Sequence, residues 1–416
     1  MIPKLNATKV YLFIEVAASA FFAMMFVSMS LYEVTVAGLT PLQLVLVGTT
    51  VELSVFVFEV PTGIVADVYS RRLSIIIGYV VMGVGFLVEG FFPFFIPILL
   101  AQVLWGLGYT FTSGSTQAWI SDEIGEEAAN KLFLRATQFG LFASLIGMGG
   151  AALIGAQSVA LPIQVGALGV ILIGIALAFV MPENGFQPAP KEDRNTWQQM
   201  WHTFQAGTAT VRARPYLIAV LGIGLFYGLY SEGFDRLWVK HLLDTFELPV
   251  FFGNNQVAFF SALRAVSTVF IIITLRYTEK RLDTSQPRAI GRAMFLITGL
   301  ISVSVIGFAL SPLLGLALIL YLLTNISRNV AIPLYTAWVN QKLESGTRAT
   351  VLSMSGQVDA IGQIAGGPAV GLVARSFSVV AALVTSGLLL SPALILVGRA
   401  NTQSPEQVEA ESAPAD

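Results

Sequence analysis

Four ionisable side chains fall near the middle of long apolar runs: Glu52, Arg264, Arg328 and Asp359. A charge in such a run costs several kcal/mol unless it is paired or wetted, so each is a functional candidate. Two are acids, two are bases, and they come from both halves of the chain. Structural ion pairs between helices are one reading; the other, taken as the expectation, is a substrate and proton cavity in which a carboxyl takes up and releases a proton. Gln357 and Gln363 share the run of Asp359 and would add neutral hydrogen bonds at the same place. Glu15 and Glu59 lie nearer one end of their runs, Glu33 and Glu89 nearer the other.

A second cluster is the stretch Tyr230-Ser-Glu232-Gly-Phe-Asp235-Arg236-Leu-Trp238 at the end of an apolar run. It reads either as an aromatic belt with a local salt bridge or as an outer vestibule, where aromatic faces and carboxylates both attract a cationic or amphiphilic ligand. A third is the short charged turn Gly63-Ile-Val-Ala-Asp67-Val-Tyr-Ser-Arg71-Arg72 between two apolar runs. Asp67 precedes the start of the next run, where a helix N-terminus favours negative charge.

The elements that position these groups follow from composition. The chain has 416 residues, 55% hydrophobic and 12% charged, against roughly 25% charged in an average soluble domain. Apolar runs of about 20 residues recur from end to end, as membrane spans require. Twelve candidates cover approximately 11–32, 42–65, 73–88, 94–111, 134–154, 161–180, 216–239, 252–275, 289–310, 313–339, 349–373 and 377–397. They are expected to be helices, because lipid leaves no backbone group unpaired and alternation at period two is absent. The first run is too long for a signal-peptide core and is read as a retained span.

Lys and Arg set the orientation. With the N-terminus inside, the inner segments collect most of them, including Lys4, Lys9, Arg71, Arg72, Lys131, Arg135, Arg276, Lys280, Arg281, Arg288, Arg292 and Arg399, whereas the outer side and the spans share Arg236, Lys240, Arg264, Arg328 and Arg375. Both termini, and the Gly63–Arg72 turn, are then cytoplasmic. The domain plan is a six-span half over 1–180, a cytoplasmic linker over 181–215, a second half over 216–398 and a disordered tail over 399–416. Within the linker, Trp197, Met200, Trp201 and Phe204 recur at helical spacing, as in an amphipathic helix on a membrane face, with His202 as a surface histidine.

The halves resemble each other. Trp119 and Trp338, Gln138 and Gln357, and Gly147 and Gly366 share one offset of 219 residues. Parallel repeats of this kind occur in transporters. Glycines cluster on the fifth run (Gly140, Gly147, Gly149, Gly150, Gly155) and the eleventh (Gly362, Gly366, Gly367, Gly371), for close packing or a hinge. Other classes find little support. Net charge is −2, with no nucleic-acid footprint, no cysteine and two histidines; no metal-ligand cluster, phosphate loop or Ser/His/Asp arrangement is visible, so an enzyme and a cofactor are not expected.

Gly63-x3-Asp67-x3-Arg71-Arg72 resembles the loop signature of the major facilitator superfamily, with Ser70 where that pattern usually has glycine. Glu59-Val-Pro61-Thr-Gly63, Ser113-Gly-Ser115 and Ala118-Trp119-Ile-Ser-Asp122 look like its twelve-span drug and macrolide exporter branch. The resemblance covers essentially the whole chain. It implies an all-α polytopic membrane protein with the major facilitator fold, in which Asp67 and Arg71, or Arg72 in its stead, meet Asp122 in a charge cluster that holds the inner gate closed. The expected function is a proton-coupled secondary exporter of hydrophobic or amphiphilic small molecules in the cell membrane, working as a monomer. Import, lipid flipping and a non-transporting sensor or scaffold are the alternatives. Two positions depart from the pattern of proton-coupled exporters: Gln102 stands where arginine is usual on the fourth span, and the fifth span has no proline. Arg264 or Arg328 is the hypothesised substitute for the missing charge.

Overall fold

The computed structural model describes residues 5–188, 211, 215–249, 252–282, 286–341 and 345–402. Among the described residues the regular elements are all helical. The first half comprises α1 (Ala7–Thr35), α2 (Pro41–Ile64), α3 (Arg71–Phe91), α4 (Phe95–Thr112), α5 (Ser115–Ile124), α6 (Glu126–Ile154) and α7 (Leu161–Val180). The second comprises α8 (Pro215–Thr245), α9 (Gln256–Arg281), α10 (Pro287–Leu310), α11 (Leu314–Gln341), α12 (Ser345–Ser376), α13 (Val379–Leu389) and α14 (Ser391–Thr402).

Local chemistry sets the boundaries. Asn6 caps α1 by accepting the Thr8 amide at 2.9 Å, and Thr40 with Gln43 forms a capping box ahead of Pro41 on α2. Gly114 and Gly125 take φ of +71° and +84°, a region that disfavours any residue with a Cβ, and so separate α4 from α5 and α5 from α6. Pro392 has no amide to continue the helix, and α13 gives way to α14 there. Among the described residues eleven segments, counting α2 with the turn after it, α4 with α5, and α13 with α14, are long and apolar enough to cross a membrane; α12, which carries Asp359, is a further long helix. The chain is a multi-pass membrane protein.

The chain divides into two compact units. The first is Met1–Gln199 with Glu247–Val266, and the second is Met200–Phe246 with Ser267–Asp416. The divide expected from the linker over 181–215 is thus accompanied by an exchange, in which the start of α9 packs with the first unit. Asn255 Nδ2 donates to the Ala152 carbonyl at 2.7 Å, anchoring that segment. The expected amphipathic helix with Trp197, Met200, Trp201, His202 and Phe204, and the tail beyond Thr402, lie outside the described residues.

Within the first unit α1 packs on α6 and α7, and α3 on α4 and α7. Within the second, α8 packs on α12 and α13, and α10 on α11. The two units repeat a contact: Gly147 of α6 lies against the Ala20 backbone of α1, and Gly366 of α12 against the Leu229 backbone of α8. Trp119 and Trp338, which share the same offset, are both fully buried. Large apolar side chains such as Phe142, Ile146 and Leu153 on α6, and Leu296 and Val303 on α10, are turned outward. In water they would form a sticky patch; in a bilayer they are the surface that lipid tails cover.

Candidate functional site: a charged cavity and a charged turn

Three helix faces in the second unit build a cavity. On α8, Gly224, Tyr227, Ser231 and Asp235 follow at spacings of three and four residues, which keeps them on one side of the helix. Arg328, Ala331 or Ile332, and Tyr335 or Thr336 do the same on α11, as do Ser355, Asp359 and Gln363 on α12. With Tyr230 and Met294 they enclose about 380 Å³, a volume suited to a small molecule. The approach of α12 to α8 depends on missing side chains. Gly362 and Gly366 lie against the Leu225 and Leu229 backbone, and Gly228 against the Asp359 carbonyl, so a Cβ at any of them would overlap main chain.

The charges in this cavity are unevenly matched. Arg328 forms a two-pronged pair with Asp235: Nη2 donates to Oδ2 at 2.7 Å and Nη1 donates to Oδ1. Its guanidinium also stands over the rings of Tyr230 and Phe234, at 5.6 and 5.9 Å from their centroids. Among the described residues Asp359 accepts one neutral hydrogen bond, from Gln363 Nε2 at 2.7 Å. The tyrosine hydroxyls differ too. That of Tyr335 donates to the Val220 carbonyl at 2.9 Å, and that of Tyr227 is 2.7 Å from Thr298 Oγ1. The buried Tyr230 hydroxyl has no hydrogen-bond partner among the described residues.

This geometry redraws the grouping expected from sequence. Tyr230 and Asp235 line the cavity of Arg328 and Asp359 instead of forming a separate outer vestibule, because the stripe on α8 carries them there. Glu232 and Arg236 occupy the adjoining face, with Arg236 Nε 3.5 Å from Glu232 Oε2, and the buried Trp238 stacks on Tyr321 at 4.4 Å. Gln363 is beside Asp359, one helical turn on. Gln357 is not a lining residue: two positions along a helix rotate a side chain by about 200°, away from the face of Asp359. Glu52 on α2 and Arg264 on α9, both half-buried, are likewise absent from the lining. Tyr227, Tyr335, Ser231, Ser355 and Thr336 line the cavity and escaped the sequence reading; their helical spacing from Asp235, Arg328 and Asp359 was the available signal.

The charged turn belongs to the first unit. After α2 the chain makes a π turn over Val65–Tyr69, which carries Asp67, before Ser70 caps α3 by accepting the Leu73 amide at 2.9 Å. Arg71 Nη1 pairs with Asp122 of α5, and Arg71 Nε is 3.9 Å from Asp67. Asp67, Arg71 and Asp122 are therefore brought together. Arg72 instead reaches the Ala178 carbonyl of α7, and Gly63 leaves open space where a side chain would stand.

The α3 N-terminus departs from expectation. Asp67 is largely exposed; the carboxylate at the helix start is Glu183, which accepts from the Arg72 amide at 2.8 Å and from the Ser70 hydroxyl at 2.7 Å. Glu183 can be there because the chain after α7 is tied down. Buried Trp119 Nε1 donates to the Pro182 carbonyl at 2.8 Å, and Glu123 accepts the Gly185 amide at 2.8 Å. Gln102, the residue in the place of the usual arginine, is buried and donates to Glu89 at 2.8 Å.

Helices that span a membrane, with a largely apolar cavity that holds charged groups inside one unit and a charged turn at one end of the other, define the class: a membrane transporter. The family follows from comparison with known proteins. The model of the Major Facilitator Superfamily matches residues 11–367, and the chain belongs to that family. It is 23% identical over 359 residues to the uncharacterized MFS-type transporter YxaM of Bacillus subtilis (strain 168), covering 85% of this chain and 86% of that one. Among solved structures it resembles a bacterial homolog of the human lysosomal transporter Spinster, inward-facing and unoccupied, with a TM-score of 0.75 at 14% identity over 99% of this chain and 100% of that one. It also resembles the nucleoside transporter NupG, with a TM-score of 0.72 at 14% identity over 95% and 98% of the two chains. At these identities the structures speak for the fold alone.

Proposed function

We propose that this transporter exports hydrophobic or amphiphilic small molecules across the cell membrane by alternating access, driven by protons that enter through Asp359. The observation that carries the reading is the Asp359 carboxyl on the cavity wall, held by a single neutral hydrogen bond from Gln363 beside the Arg328–Asp235 pair. A carboxyl so placed has room for a proton or a ligand, and exchange between the two couples their movements. The ionisable groups that share the cavity with it are Tyr227, Tyr230 and Asp235 from α8 and Arg328 and Tyr335 from α11; α13, which also packs on α12, has none. The concentration of Lys and Arg at one end of the spans supports cytoplasmic termini and a cytoplasmic Gly63–Arg72 turn. There the Asp67–Arg71–Asp122 cluster, with Arg72 and Gly63 beside it, acts as the inner gate. Six-helix halves carrying repeated contacts support rocking as the motion.

The test is efflux from cells against a panel of dyes and antibiotics, with and without collapse of the proton gradient. Accumulation that falls on expression and recovers on collapse of the gradient supports the proposal. Ligand uptake, or lipid movement without efflux, rejects the direction or the cargo and favours the importer or flippase alternative.

A further inference from the structure

We infer that the cargo is an organic monocation, recognised in the second-unit cavity by Asp359. The inference rests on the proposed transport function and adds the class of molecule. The lining holds two carboxylates, Asp235 and Asp359, against one guanidinium, Arg328. Arg328 is committed. It meets Asp235 through both prongs and lies over two aromatic rings, so its charge is neutralised within the wall. Asp359 has no salt bridge among the described residues and receives only the amide of Gln363. One negative charge is thus left in excess, facing a cavity lined mostly by apolar and aromatic surface.

An anion entering the cavity would meet Asp359 and find the one basic group already paired. A neutral molecule would gain packing but leave the carboxylate without a counter-charge, which is costly away from water. A monocation satisfies the carboxylate, and aromatic rings of Tyr227 and Tyr335 on the wall favour positive charge at their faces. Where Gly356 lines the cavity a Cβ would meet nothing within 4 Å, which leaves space for a bulky apolar portion. A proton is the smallest occupant of the same carboxylate, so cation and proton compete.

Purified full-length protein in nanodiscs is titrated with three probes of similar shape: tetraphenylphosphonium, tetraphenylborate and triphenylphosphine oxide. The expected result is binding of the cation at least about tenfold tighter than of the other two, weakening as pH falls. Asp359→Asn removes this preference, whereas Asp359→Glu, the folding control, keeps it. Equal binding of the three, preference for the anion, no binding of the cation, or a cation preference that survives Asp359→Asn overturns the inference. Reconstitution separates it from the transport reading. Cation-selective binding with no movement of tetraphenylphosphonium across proteoliposomes would sink transport and leave the cation site standing; transport of the neutral probe with no cation preference would do the reverse.

Discussion

Asp235 lines the cavity but is committed to Arg328, and its removal is expected to weaken cation binding. In the native cavity it neutralises Arg328 through two hydrogen bonds, one at 2.7 Å. Asp235→Asn leaves the guanidinium without its counter-charge, and the nearest carboxylate on the same wall is Asp359. Taking a separation of about 6 Å between the released charge and a bound cation, the repulsion is about 2.8 kcal/mol at an effective dielectric constant of about 20. That corresponds to about 100-fold in affinity. Because the side chains of Asp235 and Arg328 are 41% and 22% exposed, water screens part of this, and a loss of about 10- to 100-fold is the working figure. The assay is tetraphenylphosphonium binding to the purified variant in nanodiscs. Adding Arg328→Gln to Asp235→Asn removes the liberated charge, leaves Asp359 as the lone ion, and is expected to restore most of the affinity. An Asp235→Asn protein that binds the cation as the parent does, or a double variant no better than the single one, would refute the charge inventory.

Three further outcomes follow from the packing and the charged turn. Glu183→Gln removes the carboxylate from the α3 N-terminus while keeping one acceptor, and should lower stability by about 1 kcal/mol, read as a drop in the thermal midpoint. Gly366→Ala would drive a methyl into the Leu229 backbone and should cost about 1–3 kcal/mol or more, whereas Gly149→Ala, with nothing within 4 Å, should be neutral or slightly stabilising; thermal unfolding of the pair decides. Asp122→Asn breaks the pair with Arg71 and should slow transport of every cargo to a similar degree, measured as initial rates across a substrate panel. A selective change in preference would contradict a gate role.

Class and helix number were legible because both depend on quantities local in sequence, namely the length and polarity of each run. The same holds for the turn: Gly63, Asp67 and Arg71 form a contiguous pattern, and Asp122 enters by its place in a known motif. The cavity was legible only in part. Arg328 and Asp359 stand out as charges in apolar runs, but the pairing of Arg328 with Asp235, 93 residues away, depends on how two helices are rotated about their axes. A charge list does not hold that rotation; the stripes at 224, 227, 231 and 235 and at 355, 359 and 363 do, read as helical faces. Gln357 is near Asp359 in sequence but lies on another face of the helix, and sequence proximity alone does not separate the two. Glu183 lies outside any span, and only the tether through Trp119 and Glu123 brings it to α3.

The most direct test of the account is proton-coupled movement of a cation by the reconstituted protein. Proteoliposomes containing full-length protein are loaded with a pH-sensitive dye, given tetraphenylphosphonium on one side, and followed for proton flux and cation flux together. The account predicts coupled, opposite fluxes in the parent that Asp359→Asn abolishes and Asp359→Glu retains. Coupled fluxes that persist in Asp359→Asn would contradict it.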